Sequence, residues 1–136
     1  MNKDRILKIY SDLDRFFFDL KEIKSDEKME LVDFYASSML LFSILQRTID
    51  LGEELILELN LNLPDSHRDV FETLAKAKII TKEENEKLKN MVSFRNLIAH
   101  QYYEFEKKDI VKICKDLNVI TNFVEKSKKQ FKKVLK

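Results

Sequence analysis

The chain has 136 residues, of which 44% are hydrophobic and 36% charged, and its formal net charge is +1. These values exclude a disordered chain and are typical of one folded domain with a real core, so we treat residues 1–136 as a single domain. One glycine and one proline are too few for the turns of a sheet protein. The composition therefore predicts an all-α fold, a bundle of four long helices and one short helix.

Three further features narrow the class of protein. Cys114 is the only cysteine, which excludes an intramolecular disulfide and a cysteine-rich metal site. The N-terminal residues carry charges and no apolar core follows them, so we expect no signal peptide. The most apolar stretch, 34–45, is shorter than the roughly 20 residues that a membrane span needs. These features predict a cytoplasmic protein.

The first half of the chain predicts two long helices. Apolar residues recur at three- and four-residue steps from about Asp4 to Lys24. Ser25 resembles an N-cap, which predicts a second helix from about Asp26 to Asn60. The stretch 34–45 is apolar almost all round, so we expect this helix at the centre of the bundle. Gly52 would allow another helix to approach it closely.

Capping residues indicate where the next two helices begin. Ser66 can cap a short helix over His67–Lys78. Thr81 and Glu84 have the T-x-x-E spacing of a capping box, which starts a fourth helix at Lys82.

The C-terminal part predicts a loop followed by one last helix. Residues 101–106 are rich in aromatics without a clear period, so we predict a loop there, and Lys107 or Lys108 would open the last helix. From Lys126 to Lys136 there are six lysines and no acid. This end is either a solvated helix terminus or an electrostatic handle for a polyanion such as RNA.

The end of the fourth predicted helix carries side chains suited to RNA chemistry. Asn96 and His100 share one helical face at i and i+4, whereas Arg95 is rotated away and would reach round with its long side chain. A histidine can move protons near neutral pH, and an arginine fork can hold a phosphate. Asn96 could orient the ribose or the imidazole. RNA cleavage by attack of the 2′-OH needs no metal or cofactor, although a surface arginine beside a helix-capping histidine would show the same spacing.

The stretch from Arg95 to Tyr102, R-N-L-I-A-H-Q-Y, resembles the R-x-x-x-x-H-x-Y motif of HEPN-domain toxins of the HepT type. The preceding segments 71–74 and 79–81 are also similar to that family. The resemblance covers about two-thirds of the chain, from Tyr35 to Val124. It implies a HEPN-type helical bundle.

The resemblance also implies roles for individual residues. Arg95 and His100 match the catalytic pair of a metal-independent endoribonuclease, and Asn96 matches the polar residue that follows the arginine. Tyr102 matches the tyrosine that a partner minimal nucleotidyltransferase, the antitoxin, modifies with AMP. Such toxins are homodimers in which two motifs face each other across a cleft. An AMP group beside His100 would block an RNA phosphate by size and by charge.

Several points stay open at this stage. Tyr103 adds a second phenol, although spacing favours Tyr102 as the modified residue, and Gln101 stands where many members carry an acid. Tyr103 and Phe105 are expected to pack against the bundle. Asp50 could approach the motif from the second helix, but an exposed carboxylate is the favoured interpretation. The alternative functions are a non-catalytic nucleotide- or substrate-binding partner of a nucleotidyltransferase and a helical interaction protein.

Overall fold

The computed structural model describes residues 2–132, which form six α-helices, one short 3-10 helix and no strand. The helices are α1 Lys3–Lys21, α2 Leu31–Glu58, α3 His67–Lys76, α4 Lys82–Gln101, α5 Lys107–Lys115 and α6 Asn118–Phe131, with the 3-10 helix at Tyr102–Glu104. The all-α class is confirmed, but the expected count of four long helices and one short helix was wrong. No helix in this part of the chain is long and apolar enough to cross a membrane.

The second helix lies at the centre of the bundle, as its apolar sequence predicted. It packs against α1, α3, α4, α5 and α6. Its buried side chains repeat at helical spacing and include Leu41, Ile44, Ile49 and Leu55. Burying each such side chain contributes about 1.5–3 kcal/mol, so this one helix organises most of the core.

Gly52 marks the place where α3 crosses α2. A Cβ atom at this position would lie 2.6 Å from Val70 Cγ1, closer than real side chains approach. The expected close approach of a second helix is therefore confirmed, and α3 is the helix that makes it.

The predicted caps of α3 and α4 are confirmed. Ser66 Oγ accepts a hydrogen bond from the backbone N–H of Asp69 at 3.3 Å. At the start of α4, Thr81 Oγ1 accepts from the N–H of Glu84 at 3.1 Å, and a carboxylate oxygen of Glu84 accepts from the N–H of Thr81 at 2.8 Å. Both helices thus begin where local hydrogen bonds satisfy their first free N–H groups.

The predicted start of the second helix was wrong. Residues 22–30 form a loop, and α2 begins at Leu31 rather than at Asp26. Asp26 Oδ1 accepts from the backbone N–H of Lys28 at 2.9 Å, a local bond that competes with helix formation. Met29 is buried and ties the loop to the core.

The prediction of one last helix was wrong, because this part of the chain forms two helices, α5 and α6. The chain leaves helical geometry at Asp116, where φ is −110° and ψ is 10°, and α6 begins two residues later. Asp116 also lies 3.8 Å from Lys87 Nζ on α4. The break lets α5 pack on α2 while α6 packs against both α2 and α4, which one straight helix would not do. Lys133–Lys136, the last part of the lysine-rich end, lie outside the described residues.

Candidate active site

The motif residues occupy the last two turns of α4. Arg95 and Asn96 are partly buried, whereas His100 is exposed in the final turn. The helix continues to Gln101, so Asn96 and His100 stay on one face, one turn apart. The loop predicted over residues 101–106 therefore begins one residue later than expected, and its first residues form the 3-10 helix.

Arg95 turns towards α2 and back towards Asn96. Its Nε donates to Gln46 Oε1 at 2.8 Å, and its Nη1 donates to Asn96 Oδ1 at 3.1 Å. The Arg95 Cζ atom lies 5.3 Å from the centroid of the Phe42 ring. The Arg95 position on the helix is rotated away from the face that Asn96 and His100 share. The bond to Asn96 turns the guanidinium back towards that face. Of the five N–H donors of an arginine, two are engaged with residues 2–132.

The structure brings Arg95 and Asn96 together, and it leaves His100 open. Within residues 2–132, His100 makes no hydrogen bond to either of them. Its imidazole is therefore accessible from solvent.

Both tyrosines after the motif are accessible. Tyr102 is 70% exposed and Tyr103 is 71% exposed, with their ring centroids 5.9 Å apart in an edge-to-face arrangement. The expected packing against the bundle holds for Phe105, whose buried ring lies 6.2 Å from that of Phe34, but was wrong for Tyr103. Exposure does not separate the two candidate hydroxyls.

Gln46 and Asp50 of α2 form the other side of the site. Asp50 accepts from Gln46 Nε2 at 3.0 Å through one oxygen and from Arg47 Nη1 at 3.1 Å through the other. The expectation of an exposed carboxylate was wrong, because the Asp50 side chain retains only 14% exposure. Sequence reasoning did not identify Gln46. Its i, i+4 spacing from Asp50 was the available signal.

Arg47 continues this network to α1. Its Nη2 lies 2.7 Å from Asp12 Oδ2, and Lys8 Nζ lies 3.1 Å from the other oxygen of Asp12. Burial raises the pKa of Asp12, but hydrogen bonds from Arg47 and Lys8 outweigh burial and hold this pKa below its ordinary value. A continuous chain of polar contacts thus joins α1, α2 and α4.

Beside the motif lies an apolar surface that we call the open apolar face. Three of its residues are strongly exposed, Tyr35 at 60%, Met39 at 65% and Tyr102. Its shallow groove is lined by Tyr35, Ser38, Met39 and Phe42 of α2, by Ile98 and Ala99 of α4, and by Tyr102 of the 3-10 helix. The groove shares Phe42 with the Arg95 site and Tyr102 with the motif.

The described part of the lysine-rich end lies at the opposite end of α4. Lys126 pairs with Glu84, and Lys128 Nζ lies 5.4 Å from the ring centroid of Tyr10. Glu84 precedes His100 by 16 residues of one helix, a separation of about 24 Å. These lysines therefore lie far from the motif of their own chain. Residues 2–132 also hold no group of three or more His, Cys, Asp or Glu side chains placed to bind a metal ion.

The fold and the motif together define a HEPN-type helical bundle. The family model described as "Ribonuclease HepT-like" matches residues 6–127, and the chain belongs to this HepT-like ribonuclease family. The resemblance that the sequence indicated is thereby confirmed.

Three relatives illustrate the similarity. The mRNA nuclease HepT of Shewanella oneidensis is 38% identical over 56 residues, which are 41% of this chain and only 42% of that relative's length. The structure of the tri-AMPylated HEPN toxin of Shewanella oneidensis in complex with MNT antitoxin superposes with a TM-score of 0.83 at 24% identity, covering 95% of this chain and 99% of that one. The cytosolic protein YutE from Bacillus subtilis, whose function is unknown, gives 0.79 at 18% identity, covering 95% and 92%.

Proposed function

We propose that this protein is a metal-independent endoribonuclease that acts as the toxin of a toxin–antitoxin pair. The observation that carries the proposal is the Arg95 guanidinium, which is held in place by neutral groups and retains N–H donors for a ligand one turn from the exposed His100. Arginine binds phosphate in this way, and histidine is the side chain best suited to move a proton near neutral pH. Membership of the HepT-like family supports the same activity.

The reaction requires one bond to form and one to break. The ribose 2′-oxygen attacks the adjacent phosphorus while His100 accepts the 2′-OH proton. The bond from phosphorus to the 5′-oxygen then breaks, and that oxygen takes a proton from water or from the His100 of a second copy. Arg95 stabilises the charge on the non-bridging oxygens, and Asn96 orients the guanidinium. The products are a 2′,3′-cyclic phosphate and a free 5′-OH.

The open apolar face supports a homodimer as the working form. Exposed large apolar side chains at Tyr35, Met39 and Tyr102 are unusual on a monomer surface, and they continue along α2 to Leu31 and Val32. A second copy that covers this face would place the two motifs beside each other, because the face includes the end of α4. A cleft between two motifs would hold an RNA strand better than one open helix end.

We further propose that a minimal nucleotidyltransferase antitoxin attaches AMP to Tyr102. The phenol oxygen would attack the α-phosphorus of ATP, and pyrophosphate would leave. The 70% exposure of Tyr102 supports access for the enzyme, and an anionic group added two residues after His100 would repel an RNA phosphate bound beside that histidine. Mass spectrometry after co-expression with such an enzyme should find AMP on wild-type protein and on Tyr103→Phe, but not on Tyr102→Phe.

Cleavage of single-stranded RNA by the purified, unmodified protein tests the nuclease proposal. We expect cleavage in excess EDTA, products with 2′,3′-cyclic phosphate ends, and a rate about 10²–10⁴-fold lower for His100→Ala. His67→Ala is the matched control, because His67 is the other histidine of the chain and begins α3 away from the motif. Intact RNA in the presence of folded protein would contradict the proposal. Binding of RNA or nucleotide without cleavage would favour the alternative of a non-catalytic binding partner.

A further inference from the structure

Two arginines near the middle of α2, Arg47 of α2 itself and Arg95 of α4, are held by different kinds of acceptor. Arg47 contacts two carboxylates, those of Asp12 and Asp50. Arg95 contacts two amide oxygens, those of Gln46 and Asn96. Among residues 2–132, no carboxylate lies within ion-pair distance of Arg95. Arg95 is therefore fixed in position while its positive charge stays uncompensated.

The amide of Gln46 has only one orientation that suits its neighbours. Its Nε2 donates to Asp50 Oδ1 at 3.0 Å, which directs its Oε1 towards Arg95 Nε at 2.8 Å. A flipped amide would place an N–H group against the guanidinium and an oxygen against the carboxylate, so both contacts would become repulsive.

Asp50 is in turn compensated on its other side. Its second oxygen accepts from Arg47 Nη1 at 3.1 Å, and Arg5 Nη2 lies 3.8 Å from its first oxygen. The negative charge of Asp50 is thus shared with cations of α1 and α2. Gln46 lies between this carboxylate and Arg95. Its bond to Asp50 fixes the orientation of its amide, and the amide oxygen that Arg95 contacts carries no net charge.

We infer that Gln46 is a positioning residue for Arg95, which holds the guanidinium through a neutral acceptor so that the full positive charge remains available for an RNA phosphate. This inference rests on the proposed function, in which Arg95 binds the RNA phosphate. A carboxylate at position 46 would still accept a hydrogen bond from Arg95 but would neutralise its charge, and it would lose the bond that Gln46 donates to Asp50. An apolar side chain at position 46 would leave the positive charge of Arg95 unchanged, but it would no longer hold the guanidinium in place. The two replacements should therefore damage the site in different ways.

The experiment compares Gln46→Leu, Gln46→Glu and the control Gln130→Leu, which makes the same change at an exposed position of α6. For Gln46→Leu, we expect kcat to fall about 10²-fold with a smaller change in KM, because the guanidinium is misplaced. For Gln46→Glu, we expect weaker RNA binding. The plot of log Kd against log salt should also be shallower by about 0.7, the value of one lost phosphate contact on a single strand. The control should behave as wild type.

RNA binding is measured in a His100→Ala background, so that this arm does not depend on cleavage. A further measurement depends on neither RNA cleavage nor RNA binding. It records the arginine Nε–Hε signals in an NMR spectrum. The Arg95 signal should shift in Gln46→Leu, and no signal should shift in Gln130→Leu. If the wild type does not cleave RNA but the binding and NMR results are as expected, the proposed nuclease activity is overturned. The positioning role of Gln46 would still be supported.

Two results would overturn the inference. One is wild-type kinetics, salt dependence and NMR signal in both Gln46 variants. The other is equal loss of activity in both variants with an unchanged salt slope and a matching fall in Tm, because that pattern indicates a role in stability alone. Should Gln46→Leu fail to fold, the nearly isosteric Gln46→Glu decides the question through its salt slope.

Discussion

Two regions at the middle level of the bundle hold an arginine each, and they differ in what surrounds it. In the Arg47 region, the side chain is 24% exposed and bridges Asp12 of α1 to Asp50 of α2. In the Arg95 region, two neutral amide oxygens hold the side chain and His100 lies exposed one turn further along α4. Removing one partner of an ion pair inside the fold leaves the other charge uncompensated and destabilises the fold, whereas a positioned charge without a counter-ion is ready for a ligand.

Of the two arginines, Arg95 should have the larger effect on activity when it is replaced by alanine. We expect the rate of RNA cleavage to fall about 10²–10³-fold, because the charge that develops on the phosphate oxygens loses its partner. The Tm should change little, since no carboxylate of residues 2–132 is left unpaired by this change. Initial rates and thermal unfolding of the same preparation check both parts. A loss of stability as large as that of Arg47→Ala would remove the contrast between the two regions.

The largest effect on stability should come from Arg47→Ala. Its removal leaves the partly buried carboxylates of Asp12 and Asp50 without their main cation, so the free energy of unfolding should fall by about 2 kcal/mol, less than for a fully buried pair because Arg47 is partly exposed. Urea unfolding measures this fall. Arg15→Ala is the control, since Arg15 is exposed on α1 and its Cζ atom lies 5.1 Å from the centroid of the Phe16 ring. Equal values for the two variants would mean that the Arg47 network does not stabilise the fold.

The smallest effect should be a dependence of stability on acid pH. The pKa of Asp12 is lower in the folded protein than its ordinary value. Its contribution to stability is therefore complete above the ordinary pKa of about 4 and is lost as the pH falls through the lower, folded value. Unfolding midpoints in urea between pH 7 and pH 3 should fall less steeply for Asp12→Asn than for the wild type. Parallel curves would show that this carboxylate is not coupled to folding.

Local signals predicted much of the fold. The caps at Ser66 and Thr81 involve residues three positions apart, so a short stretch of sequence contains all the partners. The start of α2 was misplaced because Ser25 resembles an N-cap, and the break at Asp116 was missed because the apolar periodicity continues across it. At the first of these, the hydrogen bond that Asp26 accepts from the N–H of Lys28 and the burial of Met29 favour a loop. At the second, packing of α5 and α6 on different neighbours favours a break.

The sequence by itself determined the helical class, the caps and the motif of Arg95, His100 and Tyr102, because each depends on composition or on residues close together in the chain. Only the tertiary structure decided that Arg95 rests on Gln46, which lies 49 positions earlier in the chain. It also left Tyr35 exposed although α2 is central. The physical reason is the same in both cases. The periodicity of one helix shows which of its faces is apolar, but the neighbour that meets each face depends on how all the helices pack.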